Sequence, residues 1–154
     1  MKKTVIILAS LMISALVGAQ GIDFSGNWKL NSSKSKLNAE FSMAPKSINI
    51  ARDGNTLSVV KHSEFQGQEM VSTDKLTLDG KECTNPGFMD SEKKSTAVWA
   101  DDKKSLKVVS KIAMGDGNEM VITEIYKLDG GSLVIDSSSS SSFGDMAETM
   151  VYDK

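Results

Sequence analysis

Apolar and polar residues alternate in short runs along most of the chain after residue 21. Between 106 and 114, for example, Leu, Val, Ser, Ile and Met occupy every second position, the spacing of side chains on one face of a β-strand. Turn residues such as Asp53-Gly54-Asn55 and Asp129-Gly130-Gly131 separate the runs, because Gly and Asn accept the positive φ of tight hairpins. The pattern predicts ten strands, at 23–31, 46–52, 55–64, 68–78, 81–85, 93–101, 104–114, 118–128, 131–140 and 145–153.

The connections between these strands decide the fold class. Because most connections are short, each strand is expected to pair antiparallel with the next. Such a meander leaves its first and last strands as open edges, and pairing those two strands removes both edges. The sequence therefore predicts an all-β, up-and-down antiparallel barrel of about ten strands rather than a Greek-key sandwich. Only 32–45 and 86–92 are long connections, and the first has room for one helical turn over the mouth of the barrel.

The first nineteen residues have the pattern of a secretory signal peptide. Lys2 and Lys3 precede an apolar run, 5–17, that is too short for a comfortable membrane span and is expected to form a signal helix. Small residues at 17–19 predict cleavage after Ala19, which leaves one barrel domain at 20–154 with no membrane span. The alternative is a retained transmembrane anchor. We expect a protein of a bacterial periplasm or of the medium outside the cell.

Composition and charge exclude several classes of function. The chain has 18 basic and 20 acidic residues, so its net charge of −2 gives no reason to expect nucleic acid or an anionic membrane surface as a partner. His62, Cys83 and Arg52 are the single residues of their types. Cys83 therefore has no intramolecular disulfide partner, and no metal site, cofactor or catalytic constellation is predicted. Residues 115–118 are interpreted as a turn, since the later acidic ligands of a calcium loop are missing.

The two ends of the predicted barrel carry a family pattern. The run Phe24-Ser25-Gly26-Asn27-Trp28-Lys29-Leu30 resembles the opening strand of the calycin superfamily, in which Gly-x-Trp belongs to lipocalins and the longer motif to intracellular fatty-acid-binding proteins. The chain ends Met150-Val151-Tyr152-Asp153-Lys154, where that family typically ends Arg-x-Tyr-x-Lys. The resemblance implies that Trp28 closes the bottom of the barrel, with Phe24 in the core and Gly26 leaving room for a nearby segment.

The departures from the family pattern bear on the ligand. Met150 replaces the arginine that holds a fatty-acid carboxylate, while Tyr152 is retained. Arg52 lies beside a turn and is expected to be solvated, so a guanidinium-clamped fatty acid is not expected. Lipocalins also lay an arginine across the tryptophan, for which this chain offers only a lysine.

Among the residues after position 19, the methionines bear most directly on whether the barrel binds a ligand. Seven methionines follow residue 19, and thioether side chains adapt to irregular apolar molecules. They either fill gaps in the core or, for at least three of them, face a ligand cavity. The serine run 137–142 is either a solvated strand end or a hydrated, hydroxyl-lined part of the lumen wall. The candidate ligand-binding residues are Tyr152 as polar anchor, with Met150, Trp99, His62, Met70 and Met114.

Three hypotheses for function follow. The first is an exported, non-enzymatic lipocalin-like protein that binds or carries a small hydrophobic, neutral molecule in the barrel lumen. The alternative is an envelope interaction protein or enzyme inhibitor whose barrel is filled by its own side chains and which acts through 32–45 and 86–92. The third is an isomerase or cyclase that uses the lumen. A connected cavity of about 300 Å³ or more favours the first hypothesis over the second.

Overall fold

The computed structural model describes residues 20–154, so the predicted signal segment 1–19 and its cleavage site lie outside the described residues. All ten predicted strands are present, and the largest shift in a boundary is at the first strand, which begins at Gly26 instead of residue 23. The strands are β1 (Gly26–Leu30), β2 (Ser47–Asp53), β3 (Thr56–Phe65), β4 (Gln68–Thr77), β5 (Cys83–Pro86), β6 (Glu92–Trp99), β7 (Ser105–Ala113), β8 (Glu119–Asp129), β9 (Ser132–Ser141) and β10 (Gly144–Asp153).

The ten strands form one antiparallel sheet in the order β4-β3-β2-β1-β10-β9-β8-β7-β6-β5. The first strand pairs with the last, with Lys29 opposite Asp153 and Leu30 opposite Tyr152. This pairing confirms the predicted all-β barrel. The expectation that every strand pairs with the next is wrong at one place, because β4 and β5 share no backbone ladder.

A side chain joins β4 to β5 in place of that ladder. Asn85 is buried, its Oδ1 accepts a hydrogen bond from the Lys75 N–H at 2.8 Å, and its Nδ2 donates to the Lys75 carbonyl at 3.1 Å. Lys93 of β6 also reaches across the gap to Asp74. The Asn85 amide therefore satisfies backbone groups of β4 that would otherwise lose their partners, and the barrel is nearly closed.

The N-terminal segment 20–25 closes one end of the barrel. Trp28 is 3% exposed, and its Nε1 donates a hydrogen bond to the Phe24 carbonyl at 2.9 Å. The Phe24 ring stacks on Trp99 at 5.8 Å between centroids. The Lys154 ammonium lies 5.1 Å from the centre of the Trp28 ring, on the tryptophan that the family resemblance singled out.

Gly26 and Arg52 support the same closed end. Gly26 has a φ of +149°, a backbone conformation that disfavours any residue with a side chain, and a Cβ there would be in van der Waals contact with Cε of Lys154 at 3.4 Å. Arg52, expected to be solvated, is half-buried, and its hydrogen bonds are solvent-exposed. Its guanidinium lies 5.8 Å from the centre of the Trp99 ring and donates to the Gln20 carbonyl at 2.5 Å.

The connection between β1 and β2 forms part of the wall. It contains a turn at 32–34 and then a bridge from Lys36 to Thr149 of β10, beyond the point where β1 ends. The helices of residues 20–154 are two 3₁₀ turns, Phe88–Asp90 and Gly115–Gly117. Within the described residues no helix has the length and apolar character needed to cross a bilayer.

The apolar core fills the half of the barrel next to Trp28. It contains aromatic and aliphatic side chains from nearly every strand, and the largest fully buried members are Tyr126, Tyr152, Phe24, Ile48, Leu57, Leu76, Leu106, Leu133, Ile135 and Val59. The opposite half has a different interior, described in the next subsection.

The Asn85 closure predicts a measurable loss of stability. Asn85→Ala removes two hydrogen bonds and leaves the Lys75 N–H and C=O without partners, so we expect the free energy of unfolding to fall by about 2 to 3 kcal/mol. Urea unfolding measures this change, with Asn118→Ala, at an exposed turn position, as the control that should change stability by less than about 0.5 kcal/mol. Equal stability of the two variants would show that the β4–β5 contact is not held by Asn85.

Candidate ligand cavity in the barrel

A cavity of about 550 Å³ occupies the half of the barrel farther from Trp28. Its mouth is bordered by Met43, by Met70 and Val71 of β4, and by the 86–89 segment. This volume lies within the usual range of small-molecule sites, about 300 to 1,000 Å³. The barrel's own side chains therefore do not fill this half.

Methionines form much of the apolar wall. Met43, Met70, Met89, Met146 and Met150 line the cavity. Of the two interpretations of the methionines, the structure therefore favours the cavity over simple gap filling for five of the seven. Ile112 and Ile122 extend the same wall across β7 and β8.

Serines supply hydroxyl groups on the same wall. Ser137 and Ser139 of β9 line the cavity, whereas Ser138 and Ser140 are exposed because successive side chains of a strand point to opposite faces. Ser63 and Ser72 add hydroxyls from β3 and β4. The serine run is thus both a lumen wall and a solvated face.

A buried ion pair crosses the floor of the cavity. The Lys61 ammonium of β3 donates to both carboxylate oxygens of Glu124 of β8, at 2.6 and 2.8 Å, and both side chains are at least 86% buried. Burial by itself lowers the pKa of Lys61, but the neighbouring Glu124, Tyr126 and Asp74 together more than offset it, and the net direction is upward. Lys61 therefore remains protonated inside the barrel.

Tyr126 lies beside this pair in the core. Its hydroxyl donates to Glu124 Oε2 at 3.2 Å, and burial raises the pKa of the phenol, an effect that the neighbouring Glu124 charge increases. Tyr126 therefore remains a neutral donor. The hydrogen bond helps to satisfy a carboxylate that would be costly to bury without partners.

Two further carboxylates differ in their partners. Asp74 forms an ion pair with Lys93 at 2.5 Å. Glu148 of β10 accepts hydrogen bonds from the backbone N–H groups of Asn38 at 2.8 Å and Met43 at 3.3 Å. Glu148 thereby holds the 38–43 segment at the mouth of the cavity.

The register explains why these acids face the lumen. Glu148, Ser137 and Glu124 lie directly opposite one another on β10, β9 and β8, so their side chains share one face of the sheet. Glu124 is also two residues from both Ile122 and Tyr126, in the apolar phase of its strand. A charged residue in the apolar phase of a strand is the sequence pattern that identifies these lumen groups.

Two of the six predicted ligand-binding residues, Met70 and Met150, line the cavity. Tyr152 is fully buried beneath it, where its hydroxyl donates to the Pro45 carbonyl at 3.1 Å and lies 3.5 Å from Sδ of Met150. Burial raises the pKa of Tyr152. Tyr152 therefore supports the floor instead of facing the empty volume.

The structure does not bring the other three candidates to the cavity. His62 lies between Ser47 and Val71 on the outer face of the sheet, with Nδ1 3.0 Å from Oε1 of Glu69. Trp99 packs at the closed end against Phe24. Met114 lies just after β7 and is not among the lining residues.

Within the described part of the chain no group of three or more His, Cys, Asp or Glu side chains is arranged to hold a metal ion. Cys83 lies near the β4–β5 gap, where its Sγ is 3.3 Å from the Thr77 N–H. Neither observation adds chemistry to the cavity.

Comparison with solved structures finds the same fold in other proteins. The chain is similar to the zebrafish ileal bile acid-binding protein complexed with cholic acid, with a TM-score of 0.55, 16% sequence identity, and coverage of 85% of this chain and 98% of that one. It is also similar to apo lipid binding protein 8 of Caenorhabditis elegans, with a TM-score of 0.58, 14% identity, and coverage of 85% and 94%. No family model and no curated protein matches the sequence. The likeness shows the shared fold.

Substitutions at Lys61 and Glu124 are expected to have non-additive effects on the free energy of unfolding. Lys61→Met leaves the Glu124 charge buried without its cation, so we expect a loss of about 3 kcal/mol in the free energy of unfolding. Lys61→Met combined with Glu124→Met removes both charges and should recover most of that loss. Denaturant unfolding of the single and double variants measures the difference, with the exposed Lys107→Met as control. A double variant less stable than Lys61→Met would contradict the account.

Proposed function

We propose that the chain is an exported, non-enzymatic carrier that binds a small hydrophobic molecule in the barrel cavity. The observation that carries this proposal is the cavity of about 550 Å³ with five methionines on its wall. Each Å² of apolar surface that a ligand removes from water there contributes roughly 25 cal/mol, so burial alone provides a driving force for binding. The few polar groups on the wall orient the molecule.

The similar structures support this class of ligand. One of them is complexed with cholic acid, and the other is named a lipid binding protein. Both barrels extend over nearly the same length as this chain.

The charges of the lumen favour a neutral ligand over an acid. Lys61 and Lys93 are each already paired with a carboxylate, so neither offers a spare positive charge to an anionic group. Met150 occupies the position at which the fatty-acid-binding pattern has arginine. A ligand carboxylate would also enter a cavity that contains the Glu148 carboxylate, and like charges repel strongly where water is scarce.

Export to a bacterial periplasm or to the medium is part of the proposal. It rests on the sequence pattern of residues 1–19, with its basic start, short apolar run and small residues before position 20. An exported carrier would meet hydrophobic molecules outside the cytoplasm.

One observation favours the second candidate function, recognition of a partner through the loops. Phe41 lies in 32–45, and Phe88 and Met89 lie in 86–92; all three are at least half exposed. Large apolar side chains on exposed loops commonly mark interaction sites. The same segments border the cavity, so an interaction protein and a carrier would use the same end of the barrel.

Native mass spectrometry of the mature protein, purified gently from its own cell envelope, tests the proposed function. We expect an adduct in the lipid mass range that extraction releases and identifies. Unbound protein alone, together with no saturable binding of hydrophobic fluorescent probes, would favour recognition through the loops instead.

Met150→Arg tests the ligand's charge. An arginine at position 150, above Tyr152, offsets the Glu148 charge that repels acids, and the remaining N–H donors of its guanidinium can bind a carboxylate, so we expect affinity for long-chain carboxylates to rise by about tenfold or more. Isothermal titration with dodecanoate measures the gain, and Met114→Arg, outside the cavity lining, is the matched control. An equal response of both variants would mean that position 150 does not face the ligand.

A further inference from the structure

We infer that the bound molecule carries a protonated amine at its polar end and that Glu148 receives it. This inference rests on the proposed function and changes it in one respect, the charge of the ligand: among hydrophobic ligands that are not acids, the cavity selects cationic amphiphilic amines over neutral alcohols. The observations that carry it are the charge balance of the lumen, the position of Glu148 on the cavity wall and its lack of a cationic partner.

The lumen contains one more negative charge than positive charges. Its acids are Asp74, Glu124 and Glu148, and its bases are Lys61 and Lys93. Two ion pairs use both lysines and two of the acids. In the described residues no lysine, arginine or histidine forms an ion pair with Glu148, which leaves a single uncompensated carboxylate.

Glu148 is 8% exposed and lines the cavity. Its two oxygens accept one backbone hydrogen bond each, from Asn38 and Met43, and a carboxylate has about four acceptor positions. Capacity for further donors therefore remains. Folding has already removed the Glu148 carboxylate from water. A ligand cation that binds beside it is therefore attracted to it without any further desolvation of the carboxylate.

An ammonium group fits the neighbourhood better than a hydroxyl. It has three donors and a full positive charge, whereas an alcohol offers one neutral donor. Ser137 lies next to Glu148 in the sheet register and supplies a second acceptor. The methionines of the remaining wall accommodate an alkyl body, so the chemistry of the cavity matches a long-chain or otherwise hydrophobic amine.

The charge of the rest of the chain acts in the same direction. Residues 20–154 contain 16 basic and 20 acidic side chains, a formal net charge of −4. A negative field attracts cationic ligands and repels acids, and both effects are strongest at low ionic strength.

Matched ligands of one chain length test the inference. Isothermal titration of the mature protein with dodecylamine, dodecan-1-ol and dodecanoate, each below its micelle concentration, should give the tightest binding for the amine. We expect an advantage of about tenfold over the alcohol, the ratio expected from one charge-assisted hydrogen bond, and the weakest binding for the acid. Equal affinities for amine and alcohol would overturn the inference and leave the proposed function intact. No binding of any of the three would contradict the proposed function itself.

Glu148→Gln separates charge recognition from the role of Glu148 in holding the 38–43 segment. Glutamine has no charge and only one oxygen for the two backbone donors, so the readout is the ratio of the amine affinity to the alcohol affinity: it should fall from about tenfold to about one, while Glu148→Asp should keep part of the advantage. Parallel loss of both affinities in Glu148→Gln would show that Glu148 only holds the segment, and the inference would fail.

Met150→Lys provides an independent variant that leaves the hydrogen bonds of Glu148 in place. It supplies the lumen with the missing cation, so the amine should lose its advantage of about tenfold while the alcohol still binds. An unchanged advantage in this variant would contradict the charge balance on which the inference depends.

Discussion

Pairing of the first strand with the last creates the interior on which every other feature depends. Only two residue pairs join β1 to β10, and Asp153 reinforces them with hydrogen bonds from Ser132 and Asn31 at 2.6 Å each. Hydrogen bonds from Ser132, Asn31 and Lys34 lower the pKa of Asp153 to about 2, so this contact persists through mildly acidic conditions. The second contact that closes the barrel is made by side chains: the Asn85 amide, the Lys93–Asp74 ion pair and the Cys83 sulfur beside the Thr77 N–H. Closure thus depends on a few polar side chains at two places.

The closed barrel contains two different interiors. Next to Trp28, aromatic and aliphatic side chains pack to a solid core, which provides the apolar burial that a chain without a disulfide requires. Toward the other end, the inward positions of the same strands carry lysines, acids and serines around empty volume. Buried ion pairs are poor sources of stability, because removal of charge from water offsets much of their attraction. The stability of the fold therefore comes from the apolar half of the barrel rather than from these pairs.

Much of the fold follows from the sequence, and less of the site does. Alternation and turn residues locate all ten strands, because both are properties of short segments. The β4–β5 gap escapes such reasoning, since it depends on how one Asn85 side chain meets a strand ten residues away. The sequence does not determine whether Trp99 or His62 reaches the cavity. The depth of Trp99 along the barrel is set by tertiary packing, and the inward phase of β3 is fixed only by its register with β2. The lumen charges are not evident from the sequence, because charged residues usually lie at the protein surface.

A methyl NMR experiment on protein labelled at the methionine methyl groups tests directly whether the barrel holds a ligand inside. Titration with dodecan-1-ol should produce intermolecular contacts between the alkyl chain and the methyl groups of Met70, Met146 and Met150, all on the cavity wall. Saturable contacts are expected at these three positions. Binding of dodecan-1-ol without contacts at any of these three methionines would show that the barrel does not hold the ligand inside.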